Sequence, residues 1–268
     1  MRRLASVVCA MSLLLSAAVG SAAETLIELP TRAGVIQPFL LREAPNPVGV
    51  VVLFAGGHGR LGLHREDDAV KLDWGRNNFL VRSRVHFTDQ GFHVLLVDAP
   101  SDRRGEAGML DGFRHSAEHM ADLAAVLQWV NDRFGLPVWL VGTSRGTESA
   151  TALALHAGTG IQGLVLSAPM TRENRRGLSL LEMTLDAIHV PVLLVAHRQD
   201  ACRSTPPEGV EELEVALVHA PRVQVQWWEG GEAPRGEPCQ GLTPHGFLGI
   251  EREVVQGMSG FMSANQTR

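Results

Sequence analysis

The sequence predicts an α/β fold built on one mostly parallel, twisted β-sheet of about eight strands with helices on both faces. Three observations carry this expectation. Short, apolar, β-prone runs alternate with helical segments from Val48 to the C-terminus. Runs such as Val48 to Phe54 and His93 to Val97 are continuously apolar, as strands buried on both faces require. Finally, Gly142-Thr143-Ser144-Arg145-Gly146 joins an apolar run directly to a helical stretch, with no linker between them. The chain has 268 residues, of which 45% are hydrophobic, enough for one domain with a large core.

The elements follow in order. Thr25 to Leu29 alternates and reads as a first strand, and Phe39 to Arg42 as a second. Val48 to Phe54 is a buried strand ending in Ala55-Gly56-Gly57-His58-Gly59. Arg60 to Arg76 is polar and is expected to be a long loop. Phe79 to Gln90 reads as a helix stopped by Gly91, His93 to Val97 as a strand, and Ser101 to Gly112 as a loop. In Ser116 to Phe134, Met120, Leu123, Ala124, Leu127 and Val130 recur at helical spacing, and Gly135 ends the helix. Val138 to Val141 is the strand before the Gly-x-Ser-x-Gly turn, and Glu148 to His156 the helix after it. Strands at Ile161 to Leu166, Val190 to Ala196 and Val223 to Trp228 then alternate with helices at Leu178 to Ile188, Gly209 to His219 and Gly246 to Phe261. There is no internal repeat and no sign of a second domain beyond residues 24–268.

Residues 1–23 read as a secretory signal peptide. Met1-Arg2-Arg3 is the positive start, Leu4 to Gly20 the apolar region, and Ser21-Ala22-Ala23 the small-residue cleavage site before Glu24. The Ser, Ala and Gly content argues against an uncleaved anchor, so no stable membrane insertion is expected after cleavage. A periplasmic or secreted location follows. Cleavage removes Cys9 and leaves Cys202 and Cys239, an even number in an oxidising compartment, so a disulfide is expected. The chain-entropy view values such a loop closure at roughly 3–4 kcal/mol. In a reducing compartment the same two residues would be free buried thiols. The formal charge is −5 with scattered basic residues, which gives no footprint for nucleic acid. His64-Arg65-Glu66-Asp67-Asp68 lacks a matching metal-ligand set, and no cofactor motif is present.

The chemistry concentrates on Ser144. A serine hydroxyl is a weak nucleophile until a base removes its proton, and the base is usually a histidine oriented by a carboxylate. A sharp strand–turn–helix lifts the hydroxyl clear of the sheet, and the flanking glycines avoid collisions with neighbouring backbone. Ligands bind beyond the carboxyl ends of such strands. Asp200 follows the Val190 to Ala196 strand, and His245 lies in Thr243-Pro244-His245-Gly246-Phe247 between the last strand and last helix. Asp98 also follows a buried strand and is the rival acid, but it precedes the serine in the chain. Oxyanion stabilisation needs two N–H donors. Arg145 supplies one, and Gly57 or His58 the other; the residues do not choose between them.

These segments resemble the α/β-hydrolase fold superfamily of serine esterases, lipases and peptidases. The resemblance rests on Phe54 to Gly59, Gly142 to Gly146, Val192 to Asp200 and Pro244 to Phe247. It implies Ser144 as nucleophile, Asp200 as acid, His245 as base, and Arg145 with Gly57 or His58 as the oxyanion hole. It also implies hydrolysis of a small-molecule ester through an acyl-enzyme, without cofactor or metal. A peptidase, amidase or thioesterase with the same triad, or a non-catalytic binding protein on this fold, are the alternatives. Ala168 to His189 leaves room for about one helix, so no large lid domain is expected. A Cys202–Cys239 bond would tie the acid loop to the base loop, as disulfides do in some secreted esterases of the superfamily. Arg60, Arg145, Arg198 and Arg203 are expected near the mouth, where they would attract an anionic substrate. Trp74, Trp227 and Trp228 are candidate pocket walls, and Asn265-Gln266-Thr267 fits a glycosylation sequon. Nothing in the sequence sets the oligomeric state.

Overall fold

The structure is a computed structural model that describes residues 23–266. The leader expected over residues 1–23 therefore lies outside the described residues except for Ala23, as does Thr267 of the sequon. Eight strands form one sheet: β1 (Glu24–Arg32), β2 (Val35–Arg42), β3 (Gly49–Phe54), β6 (Phe92–Val97), β7 (Val138–Thr143), β8 (Gly163–Ser167), β9 (Val192–His197) and β10 (Val223–Trp228). Their spatial order is β1-β2-β6-β3-β7-β8-β9-β10. The β1–β2 and β2–β6 pairs are antiparallel, and every later pair is parallel.

Central strands such as β3 are continuously apolar because two cores need them. Val50, Val52 and Phe54 of β3 enter one core, whereas Val51 and Leu53 enter the other, following the alternation of a pleated strand. The first core packs under α2 (Ala117–Phe134), α3 (Gly146–Ala157) and α4 (Glu208–Ala216) through residues such as Leu123, Leu153 and Leu213. The second packs under α1 (Phe79–Asp89) and α5 (Glu251–Ala264) through Phe79, Phe87, Met258 and Phe261. Local signals set the helix ends. Asn78 caps α1 by accepting from Leu80 and Val81 N–H, and Ser116 caps α2 by accepting from His119 N–H. Among the described residues, no helix is long and apolar enough to cross a membrane.

Three expectations are corrected. The stretch from Arg60 to Arg76 is not all loop: it holds an antiparallel hairpin, β4 (Leu63–Glu66) with β5 (Ala69–Leu72). Its strands are four residues each and mostly solvated, so they carry little apolar pattern. Leu178 to Ile188 is not a helix but two 3₁₀ turns, Leu180–Glu182 and Leu185–Ala187. Ser179 caps the first turn and Met183 after it is extended, which breaks the helical path, while Leu180, Leu185 and Ile188 all reach the core. The last helix starts at Glu251 rather than Gly246, because Phe247 and Gly249 take positive φ values of 56° and 85°.

The junction of β7 and α3 is the tightest place in the sheet. A Cβ on Gly142 would lie 2.7 Å from Thr147 Cα, and one on Gly146 would overlap the carbonyl of Phe54 in the neighbouring strand. Neither obstacle is the end of a flexible side chain. Gly146→Ala is therefore expected to destabilise the protein by about 2 kcal/mol or more, read as a lower urea midpoint. An unchanged midpoint would contradict this packing.

Candidate active site

Ser144 sits in that junction with φ of +52°, a left-handed conformation costly for a residue with a Cβ. Three bonds hold it there. Its N–H donates to Ser167 O at 3.0 Å, and its carbonyl accepts from Thr147 N–H (2.9 Å) and Thr147 Oγ1 (2.6 Å). The α3 N-terminus begins beside it, where backbone N–H groups favour negative charge.

Asp200 lies in the turn after β9, its N–H bonded to His197 O at 3.0 Å. Its carboxylate accepts from Cys202 N–H (2.9 Å), Thr205 Oγ1 (2.8 Å) and His245 Nδ1 (2.9 Å). Both Asp200 and His245 are buried. His245 occupies the 3₁₀ turn Pro244–Gly246, whose Thr243 hydroxyl accepts from the His245 N–H at 3.2 Å. A carboxylate only accepts, so Nδ1 carries a proton, and in the neutral imidazole the lone pair is then on Nε2. Cys202 and Cys239 form a disulfide with their Cα atoms 4.6 Å apart, joining the Asp200 turn to the segment before His245. Thr205 was not singled out from the sequence; a threonine five residues beyond an aspartate carries no recognisable signal.

Ser144 and His245 line the same cavity, of about 500 Å³. Among the described contacts no hydrogen bond joins Ser144 Oγ to His245. Catalytic hydrogen bonds are often long before substrate arrives. Gly56, Gly57 and Trp74 form another wall. Here Gly59 N–H bonds to Gly56 O at 3.2 Å, closing a turn in which Gly57 has φ of +60°. The His58 ring lies 4.0 Å from the Trp74 ring, and burial, reinforced by Arg60, Arg114 and Arg176, lowers its pKa.

A buried arginine stands behind this turn. Arg114 Nη2 donates to the carbonyls of Ala55 (3.0 Å) and Gly57 (3.2 Å), and Nη1 to Ser149 Oγ (3.0 Å). Burial pushes its pKa down to about 10, against the opposing charge of Glu148. Peptides are planar and trans, so fixing a carbonyl fixes the next N–H in the opposite direction. Three successive carbonyls, of residues 55, 56 and 57, are thus held, and with them the N–H groups of Gly56, Gly57 and His58. Sequence reading missed Arg114, since one arginine before a helix is unremarkable.

Other expected site residues lie elsewhere. Asp98 accepts from Leu61, Leu63 and Ala99 N–H, and burial raises its pKa; it shapes the loop after β3 and is not the partner of His245. None of the four arginines expected at the mouth lines the cavity. Arg60 donates to Arg104 O, Arg145 to Asn174 Oδ1, and Arg198 stacks on Trp227, while Arg76 and Arg235 line the cavity instead. Trp227 and Trp228 pack against the two cores, leaving Trp74 as the tryptophan of the wall. No cluster of three or more His, Cys, Asp or Glu side chains suited to a metal occurs among the described residues.

The family described as "Serine aminopeptidase, S33" matches residues 80–231, more than half of the chain. The chain belongs to this family of α/β hydrolases. The matched span includes Ser144 and Asp200 and stops short of His245. No curated protein matches the sequence. Among solved structures, this hydrolase is similar to a cold-adapted esterase from an Arctic intertidal metagenomic library, at 16% identity and TM-score 0.62 over 92% of this chain and 95% of that one. It is also similar to an esterase of Pyrococcus furiosus (15%, TM-score 0.64, 91% and 93%) and a thermostable carboxyl esterase of Bacillus coagulans (14%, TM-score 0.60, 91% and 99%). At these identities the likeness is one of fold.

The Arg114 contacts generate a test. Arg114→Lys keeps a cation but loses the fixed fork of donors. If the fork aims the N–H groups at a developing oxyanion, kcat should fall about 10-fold or more while KM stays within about 2-fold. A raised KM with unchanged kcat would show that the arginine does not act this way.

Proposed function

We propose that the protein is an exported serine hydrolase that cleaves carboxylic esters through an acyl-enzyme. The observation that carries this reading is the buried Asp200–His245 bond, with the free face of the imidazole on the cavity that Ser144 also lines. In this mechanism Nε2 takes the Ser144 proton as Oγ attacks the ester carbonyl. The tetrahedral oxyanion is held by the N–H of Arg145 and that of Gly57 or His58. Collapse expels the alcohol, protonated by the imidazolium, and Asp200 stabilises that cation throughout. Water, deprotonated by the same imidazole, then releases the acid.

Ester rather than amide cleavage draws support from the similar solved structures, which are esterases. The family description favours a second reading, a peptidase with the same residues. Export draws support from the residue pattern at 1–23, from β1 beginning at Glu24, and from the disulfide.

On short 4-nitrophenyl esters, Ser144→Ala is expected to lower kcat/KM by at least about 1,000-fold. The matching 4-nitroanilides should be cleaved at least about 100-fold more slowly than the esters by the unaltered enzyme, a preference of roughly 3 kcal/mol. Undiminished turnover by Ser144→Ala would refute the nucleophile, and faster anilide cleavage would favour the peptidase.

The disulfide yields a separate expectation. Cys202→Ser/Cys239→Ser should lose activity on heating before the fold melts, because the Asp200 and His245 segments are freed from each other. Activity and circular dichroism lost at one common temperature would assign the bond a general stabilising role only.

A further inference from the structure

A second hollow, of about 420 Å³, lies beside the cavity of Ser144, and Arg76 lines both. Four of its seven lining residues are cations, Lys71, Arg76, Arg82 and Arg84, and none is an acid. Two of the four are already neutralised. Arg82 is bonded to Glu251, and Arg84 to Glu24. The Lys71 ammonium and the Arg76 guanidinium make no hydrogen bond or ion pair among the described residues. Lys71 is the chain's single lysine, in a protein of net charge −5. Two unpaired cations side by side at the edge of a reaction cavity repel each other, and an anion bound there would relieve that repulsion.

On the cavity side Arg235 is paired with Glu232. Asp73, the one carboxylate among the lining residues, is exposed, lies beside His64 Nδ1 at 3.6 Å and makes no ion pair with Arg76 among the described residues. Arg76 also stands just ahead of the N-terminus of α1, whose dipole adds to the positive potential. Large apolar side chains are few on this wall: Trp74, Phe79 and Leu242. A long acyl chain finds little surface here, whereas a short polar substrate finds asparagines, Gln240 and a free guanidinium.

We infer that Arg76, assisted by Lys71, forms an anion subsite, and that the substrate is an ester whose far end carries a carboxylate or phosphate group. The inference rests on the serine-hydrolase reading for the identity of the bond cleaved, but not for the binding of the anion. Arg76 is the specificity-determining residue. The guanidinium takes the anion in charge-assisted hydrogen bonds, and the ammonium adds a second charge from the hairpin β4–β5. The carbonyl is thereby positioned over Ser144.

The test compares 4-nitrophenyl valerate with two anionic esters of similar length, mono-4-nitrophenyl glutarate and the 4-nitrophenyl ester of 3-phosphonopropionate. For at least one anionic ester, kcat/KM should exceed that for valerate by about 10-fold at low salt, the value of one charge-assisted contact. The favoured ester identifies the group as carboxylate or phosphate. Arg76→Gln should bring that ratio close to one, Arg76→Lys should retain much of it, and added salt should lower it. A wild-type ratio of one or less for both anionic esters, or a ratio unmoved in Arg76→Gln, overturns the subsite. A binding arm separates the two readings. Calorimetry of monomethyl glutarate and of methyl 3-phosphonopropionate with Ser144→Ala should show binding of the favoured anion that Arg76→Gln weakens by about 10-fold. Such binding without cleavage of any ester would retain the subsite and remove the hydrolase reading. Cleavage of esters without anion preference would do the reverse, and no binding of either probe removes the subsite.

Discussion

Asp200 is a buried carboxylate that accepts hydrogen bonds from the backbone of Cys202, the hydroxyl of Thr205 and the imidazole of His245. Burying an ionised carboxylate is costly unless such donors surround it. Two donors come from its own turn, which fixes the direction of the third. The imidazole is therefore oriented by a group that is itself fixed before any substrate binds. The disulfide joins the same turn to the segment that carries His245, so covalent and polar constraints act on one pair of loops. Each would be weaker alone: a hydrogen bond between two free loops has to overcome their conformational entropy.

The other side of the cavity is organised by a buried cation. Arg114 holds the Ala55 and Gly57 carbonyls from behind, while Gly59 holds that of Gly56. Its charge is offset by Glu148, whose own pKa is raised by burial and then lowered in part by Arg114 and Arg145. In the proposed mechanism this matters because an oxyanion hole works by preorganisation: donors that must turn toward the charge during reaction lose much of their value. A glycine-rich turn is mobile by nature, and the arginine supplies the rigidity that the glycines lack.

Much of this was legible in the residues, for reasons of burial. Strands such as β3 and the Val138 to Val141 run of β7 feed two cores at once, so their sequences are continuously apolar and stand out from any loop. The strand–turn–helix at Ser144 was legible because its glycines are dictated by backbone contacts with Phe54 and Thr147. Asp200 and His245 were found from their place after late strands. What stayed hidden depends on distant contacts. The hairpin at Leu63–Leu72 buries only its end pair, Leu63 and Leu72, and the segment from Leu178 to Ile188 follows the shape of the core instead of its own periodicity. Arg114, Thr205 and Arg76 acquire their meaning only from atoms far away in the chain or from having no partner among the described residues. Three of the four arginines first expected at the mouth, Arg60, Arg145 and Arg198, are spent on contacts elsewhere, a choice that no spacing rule reveals.

The central claim is that one hydroxyl, one imidazole and one carboxylate act on a single carbonyl. Its most direct measurement is a crystal structure of the protein after reaction with an alkyl 4-nitrophenyl phosphonate. The expected result is phosphorus bonded to Ser144 Oγ. The phosphoryl oxygen should lie within hydrogen-bond reach of the Arg145 N–H and that of Gly57 or His58, with His245 Nε2 turned to the same centre and Nδ1 still on Asp200. Phosphorus on another side chain, or an adduct at Ser144 whose oxygen meets no backbone N–H, would contradict it.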